Sequence, residues 1–164
     1  MDPKIVKYSA SNFDQCVNIF KSNIPEYFAQ DELFEFQDYL KNISKTINGW
    51  TDSFFILELD KKLVGCAGIG LNKSKKIATL SWGMVDKNYH RKGFGTLLTN
   101  YRLNLLRNLN LNLEISLDTS QYSYLFYEKF GFKVVDIEYD GYEKGMHKYY
   151  MIHSFSKNSN SHTF

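Results

Sequence analysis

His90-Arg91-Lys92-Gly93-Phe94-Gly95 places two fixed cations and a histidine beside a pair of glycines. The chemistry that suits this stretch is the binding of a phosphate or pyrophosphate. Gly93 and Gly95 carry no Cβ, so the backbone can approach an anion closely. An apolar run, ATLSWGMV at residues 78–85, precedes the loop, and a helix follows it from about Thr96. Leu97, Leu98, Tyr101, Leu105 and Leu109 are spaced i, i+1, i+4, i+8 and i+12, which predicts one apolar helix face. The order is therefore strand, glycine loop, helix N-terminus. The first N–H groups of a helix lack partners within it, and the helix dipole adds partial positive charge there. A loop of this composition also fits an ordinary soluble turn with no ligand. Two familiar phosphate motifs are excluded. No Gly-Lys-Ser/Thr follows, and Leu98 stands where a dinucleotide fingerprint needs its third glycine.

A second segment resolves the alternatives. Leu117-Asp118-Thr119-Ser120-Gln121 is followed by Leu125-Phe126-Tyr127-Glu128-Lys129-Phe130-Gly131-Phe132. Taken in this order, each after a predicted strand, the two segments resemble the GNAT superfamily of acetyl-CoA-dependent N-acetyltransferases. The first matches the family's Gln/Arg-x-x-Gly-x-Gly/Ala signature at its glycines. The second matches its Tyr-Glu-Lys-x-Gly-Phe segment. The resemblance is clearest over residues 54–132. His90 departs from it, standing where the family has Gln or Arg. The loop binds mainly through its backbone, so the departure is expected to be tolerated, with the side chain's role left open.

The resemblance implies an α+β fold, a mixed, mostly antiparallel seven-stranded sheet with about four helices on both faces. It also implies that the fourth and fifth strands splay apart to admit the pantetheine arm of acetyl-CoA as co-substrate. It assigns the pyrophosphate to His90, Arg91, Lys92, Gly93, Phe94, Gly95 and Thr96. Backbone groups of Gly83, Met84 and Val85 would polarise the thioester carbonyl, an oxyanion contact of the kind that often dominates catalysis. A β-bulge frees backbone groups on that strand, and Gly83 is placed either to permit it or to allow close packing. Ser120 stands where many relatives carry Asn against the cofactor, and Gln121 adjoins it, so both are expected on the pantetheine arm. Tyr127 matches the family's general acid. An ordinary phenol, with a pKa of about 10, holds a proton to donate at neutral pH.

The general base is not visible. The polar residues of the strand before the loop are Thr79 and Ser81, and neither is a useful base. A water relay, a backbone carbonyl or a carboxylate from the second helix could serve. Glu26, Asp31, Glu32, Glu35 and Asp38 form an acidic cluster there that could also attract a cationic amine, though the simplest reading is a solvated face. The rate is then expected to follow the acceptor's own pKa. The acceptor is read as a primary amine on a small molecule, an amino-acid derivative or a peptide. Protein N-terminal or lysine acetylation is the rival, with Thr79 in place of an acid weighing against lysine. A non-catalytic acetyl-CoA sensor would need the glycines but not Tyr127.

The elements that position these residues read βααβββαβαββ. Strands are expected at residues 4–8, 54–59, 63–69, 78–85, 113–117, 132–139 and 148–154. Helices are expected after Ser11, over 29–47, from Thr96, and over 121–130, the last closed by Gly131 at C′. Asp60-Lys61-Lys62 reads as a hairpin turn and 140–145 as a loop. At 164 residues the chain suits one acetyltransferase domain, 1–155, with a polar tail at 156–164. A hydrophobic content of 43% and charged content of 23% are ordinary for a globular protein. A net charge of +2 gives no ground for nucleic-acid binding. No apolar run approaches the ~20 residues of a membrane helix, and no secretory leader is evident, so a cytoplasmic protein is expected, monomer or homodimer. Cys16 and Cys66 match no metal spacing and read as two buried thiols. His147, His153 and His162 read as structural or exposed, and no metal is expected.

Overall fold

The computed structural model describes residues 2–155. Seven strands form one sheet in the order β1-β2-β3-β4-β5-β7-β6. They are β1 (Lys4–Lys7), β2 (Thr51–Leu59), β3 (Lys62–Asn72), β4 (Ile77–Val85), β5 (Glu114–Thr119), β6 (Lys133–Glu143) and β7 (Met146–Ser154). All neighbours are antiparallel except β4 and β5. The helices are α1 (Phe13–Ser22), α2 (Glu32–Asn42), α3 (Phe94–Arg107) and α4 (Tyr124–Glu128).

Alternation along β2 sends side chains to both faces, as the pleat requires. Phe54 and Ile56 join Cys16, Phe20, Phe36 and Leu40 beneath α1 and α2. Phe55 joins Leu103, Leu106, Ile115 and Met151 on the opposite face, beneath α3. Helices therefore cover both faces of the sheet. Cys16 and Cys66 are free thiols in the first of these cores.

The parallel pairing of β4 with β5 is short. It runs Ile77↔Glu114, Ala78↔Ile115 and Thr79↔Ser116, then stops. Beyond it the two strands separate, and the edge of β4 from Leu80 onward faces an open cleft.

Several expectations are corrected. The second helix ends at Asn42, because Asn48 and Gly49 take positive φ (51° and 81°) in a tight turn that bridges Ile47 to Trp50. An Asn-Gly pair is the standard signal for such a turn. The β2–β3 turn is the two residues Asp60 and Lys61, both at positive φ, with Lys62 already in β3. Residues 140–143 lie in β6 rather than a loop, with Asp140 (φ 56°) at an irregularity in the ladder. α3 begins at Phe94, and its buried face is Leu98, Thr99, Arg102, Leu103 and Leu106. Leu97, Leu105 and Leu109 are among the exposed large hydrophobics. Leucines lie on both sides of this helix, so the apolar stripe alone does not fix its rotation. The expected tail, 156–164, lies outside the described residues. No described helix is long and apolar enough to cross a membrane.

Candidate active site

Where β4 and β5 part, a cleft of about 480 Å³ opens, lined by β4, the glycine loop, α3, the end of β5 and α4. That volume lies in the usual range for small-molecule sites. Of the residues singled out in the sequence, Gly83, Met84, Val85, His90, Arg91, Gly93, Phe94, Gly95, Thr96, Ser120 and Tyr127 line it. Two do not. The Lys92 ammonium sits over the Tyr89 ring, 5.3 Å from its centroid. The Gln121 side chain is committed to the β6–β7 hairpin, donating to Gly145 O (2.7 Å) and accepting from the His147 N–H (2.9 Å).

The loop is shaped by its glycine. Gly93 is the N-cap of α3 with φ 85°, a left-handed conformation costly for any residue with a Cβ. Nothing stands within 4 Å of where that Cβ would lie, so the loop borders open space there. Arg91 lines the cleft beside it, and the first N–H groups of α3 are unpaired within the helix, so the loop can offer donors and charge to an anion. Gly95 is constrained differently, because a Cβ would lie 3.4 Å from the Phe126 ring. His90 turns its ring back into the protein, 2.8 Å from Val85 O. Asn23 donates to the same carbonyl at 3.0 Å.

The bulge on β4 is at Trp82 and Gly83, which together face Ala67 between the pairs Cys66↔Met84 and Gly68↔Ser81. Trp82, not Gly83, takes the strained backbone, at φ 48°. Its ring is held against Phe20 and Phe36, at centroid distances of 6.1 and 5.2 Å. Gly83 is small for another reason. A Cβ there would lie 2.9 Å from Arg102 Nη2 and 3.4 Å from the Tyr127 hydroxyl.

Arg102 is only 2% exposed. Its Nε donates to Leu98 O (3.3 Å), and its Nη1 donates to Gly68 O (3.2 Å) and Ser81 O (3.5 Å). Gly68 and Ser81 are the pair beside the bulge, so the guanidinium satisfies carbonyls where the ladder is disrupted. Burial pulls Arg102 below its ordinary pKa, while Tyr127, Tyr39 and Cys66 act to keep it charged. Further along β4, Val85 O is likewise occupied by side-chain donors, from Asn23 and His90. Nothing in the sequence pattern singled out Arg102. The spacing Leu98, Arg102, Leu106 on one helix face was the available signal.

The acidic cluster divides. Glu26, Asp31, Glu35 and Asp38 are exposed, and Glu26 pairs with Lys87 at 2.8 Å. Glu32 is half-buried and lines the cleft with Tyr27, Phe28, Trp82 and Tyr142. Burial raises its carboxyl to about 7, against a 2.8 Å hydrogen bond from the Ala29 N–H, with Glu35 adding to the rise. Tyr142, on the other wall, is pushed up by burial and by Asp118 and Glu32. His147 and His153 are packing residues: His147 accepts from the Asp140 N–H, and the His153 ring lies tilted against Phe132.

Residues 24–154 match the model of a family described as the acetyltransferase (GNAT) domain. No curated protein matches the chain in sequence. Among solved structures the fold is similar to the ribosomal-protein-S18-alanine N-acetyltransferase of Escherichia coli, with TM-score 0.74 and 16% identity over 99% of this chain and 100% of that one. It is similar to Ard1 of Thermoplasma volcanium, with TM-score 0.72 and 20% identity over 96% and 100%. A third likeness is to the PaiA N-acetyltransferase of Thermoplasma acidophilum, solved with coenzyme A, with TM-score 0.71 and 18% identity over 94% and 100%.

Proposed function

The chain belongs to the GNAT acetyltransferases, enzymes that use acetyl-CoA as co-substrate, and from that premise we propose that it acetylates a primary amine by direct attack in a ternary complex. The acceptor is a small amine, an amino-acid derivative or a peptide. The observation that carries this reading is the convergence on one cleft of a glycine loop open at Gly93, a phenol at Tyr127 and a half-buried carboxylate at Glu32.

Acetyl-CoA supplies the thioester. The backbone of residues 93–96 holds its pyrophosphate, with Arg91 adding charge, and Ser120 borders the pantetheine arm. The free N–H groups of the β4 edge between Gly83 and Val85 hold the carbonyl oxygen, where fixed dipoles need little reorganisation. The amine enters from the Glu32 end. Glu32 and Asp118 attract it as an ammonium. It releases one proton to solvent, so that the neutral nitrogen attacks and the second proton leaves it in the step that follows. Glu32 accepts a proton from nitrogen as the C–N bond forms. Tyr127 donates a proton to sulfur as the C–S bond breaks, and solvent returns the proton from the carboxyl to the phenol. A carboxyl raised to about 7 suits this task, since a base works best near the operating pH.

This reading assigns the base to one member of the acidic cluster, and it changes the expected pH dependence. The test is kcat/KM against pH for a series of amines of differing basicity. The proposal requires a limb near pH 7 that is common to all acceptors and lost in Glu32→Gln. A limb that moves with each acceptor's own pKa, and is unchanged in Glu32→Gln, returns the chemistry to a mechanism without a protein base.

A further inference from the structure

Arg102 is a buried charge with no carboxylate partner among the described residues. Among the described residues the ion pair of fixed charges is Lys87–Glu26, and it does not involve Arg102. A buried ion without a counter-ion is costly, so its retention calls for an explanation beyond packing. Part of that explanation is the bulge, where Nε and Nη1 serve three carbonyls. Guanidinium has five N–H donors and no acceptor. Those three bonds leave the two hydrogens of Nη2. Nη2 projects to the point where a Gly83 Cβ would stand, and the Tyr127 hydroxyl reaches the same point from α4. The two groups thus border one point, and Tyr127 acts to keep Arg102 charged. Catalytic contacts are commonly long before the substrate arrives and tighten in the complex.

We propose that Arg102 is a positioning residue for Tyr127: its Nη2 donates to the phenol oxygen, so the phenol hydrogen is turned into the cleft toward the leaving sulfur. The inference rests on the reading of Tyr127 as the proton donor. Its logic is directional. Because guanidinium can only donate, Tyr127 can meet it only as an acceptor, and the one phenol hydrogen must point elsewhere. Both residues line the cleft, so a hydrogen turned away from Arg102 can be directed into it. Once the proton has left for sulfur, the same guanidinium faces the charge on the phenol oxygen. Gly83 is part of the device, since any larger residue would stand between the two groups.

The test is a double-mutant cycle on kcat, with free thiol release as the readout, using Tyr127→Phe, Arg102→Gln and the pair. Tyr127→Phe alone checks the underlying reading, and an unchanged kcat there removes the basis for the whole inference. Given a fall in that variant, Arg102→Gln should lower kcat by about tenfold or more, the scale of a general acid made ineffective. The KM for acetyl-CoA should change little. In the Tyr127→Phe background the same substitution should cost little further, because the hydrogen it positions is gone. Equal factors in both backgrounds would make Arg102 a structural residue of the bulge and overturn the proposal, while leaving Tyr127 as donor. Should Arg102→Gln fail to fold, as judged by near-UV circular dichroism, the cycle is run with Arg102→Lys. Lysine keeps one charged donor and should retain part of the rate and part of the coupling. A lysine variant with full loss of kcat and no coupling would equally overturn the proposal.

Discussion

Replacing Gly83 by alanine adds one methyl group at the point where Arg102 and Tyr127 meet. Gly83 is not among the residues with positive φ, so the backbone accepts alanine without strain. The cost is therefore steric. The new Cβ would lie 2.9 Å from Arg102 Nη2, closer than real Cβ contacts come, and 3.4 Å from both Nη1 and the Tyr127 hydroxyl. A free arginine end would swing away. This one is held by bonds to Leu98 O, Gly68 O and Ser81 O, so relief requires breaking one of them or displacing β4. Overpacking a fixed site costs about 1–3 kcal/mol. For a domain of this size, each kcal/mol lowers Tm by roughly 2–4 °C, giving an expected fall of roughly 2–12 °C. Activity should fall further than stability suggests, since a shift of about 1 Å at the reacting groups can cost ~100-fold in rate. The assay is thermal unfolding beside kcat on a competent amine. Gly145→Ala is the control, because Gly145 has φ 82° and nothing within 4 Å of its Cβ position. Its cost is backbone strain of about 1–2 kcal/mol, with kcat intact. A Gly83→Ala protein with wild-type Tm and wild-type kcat would refute the reasoning about this junction.

Tyr127→Phe keeps the edge-to-face packing on Phe126 and Phe132, so stability should hold while kcat falls by about ten- to ten-thousandfold, read as thiol release under saturating substrate. Gly93→Asp puts a carboxylate where phosphate is expected, at a φ that aspartate tolerates better than most residues. Titration calorimetry should show acetyl-CoA binding lost in a folded protein, and wild-type affinity would remove the pyrophosphate from this loop. Glu32→Gln tests linkage. The folded carboxyl is raised from 4.5 to about 7, so between those values the native state binds a proton that the unfolded chain has released. Wild-type stability should then fall as pH rises through that window, and the glutamine variant, with no proton to lose, should gain on wild type over the same range. Urea midpoints on either side of the window check this, and parallel curves for the two proteins would contradict the raised carboxyl.

The parts of the site legible in the sequence were those whose requirement is local. Gly93 must be glycine because of its own φ, and a glycine loop between strand and helix announces itself without tertiary information. Tyr127 was legible through its place in a segment shared with a family. Glu32 was legible only as one of five acids near one another in the chain, and only the packing of α2 over the sheet turns one of them into the cleft. Arg102 was hidden for a related reason. Leucines on both sides of α3 let the helix be read in a rotated register, which left the arginine outside the apparent buried stripe. Gly83 was noticed for its type, but its reason, a guanidinium arriving from α3, is a long-range contact. The Asn48-Gly49 turn was a local signal that the helical spacing of nearby apolar residues outweighed.

The central claim is acetyl transfer from acetyl-CoA to a primary amine in this cleft. Its most direct test is free thiol release from acetyl-CoA on addition of each member of a panel of amines, amino-acid derivatives and peptides, with the acetylated product identified by mass. The account predicts release that depends on the amine, matches the amide formed, and drops sharply in both Tyr127→Phe and Gly93→Asp. Thiol release that is the same with and without every amine, or amide formation that survives both substitutions unchanged, would contradict it.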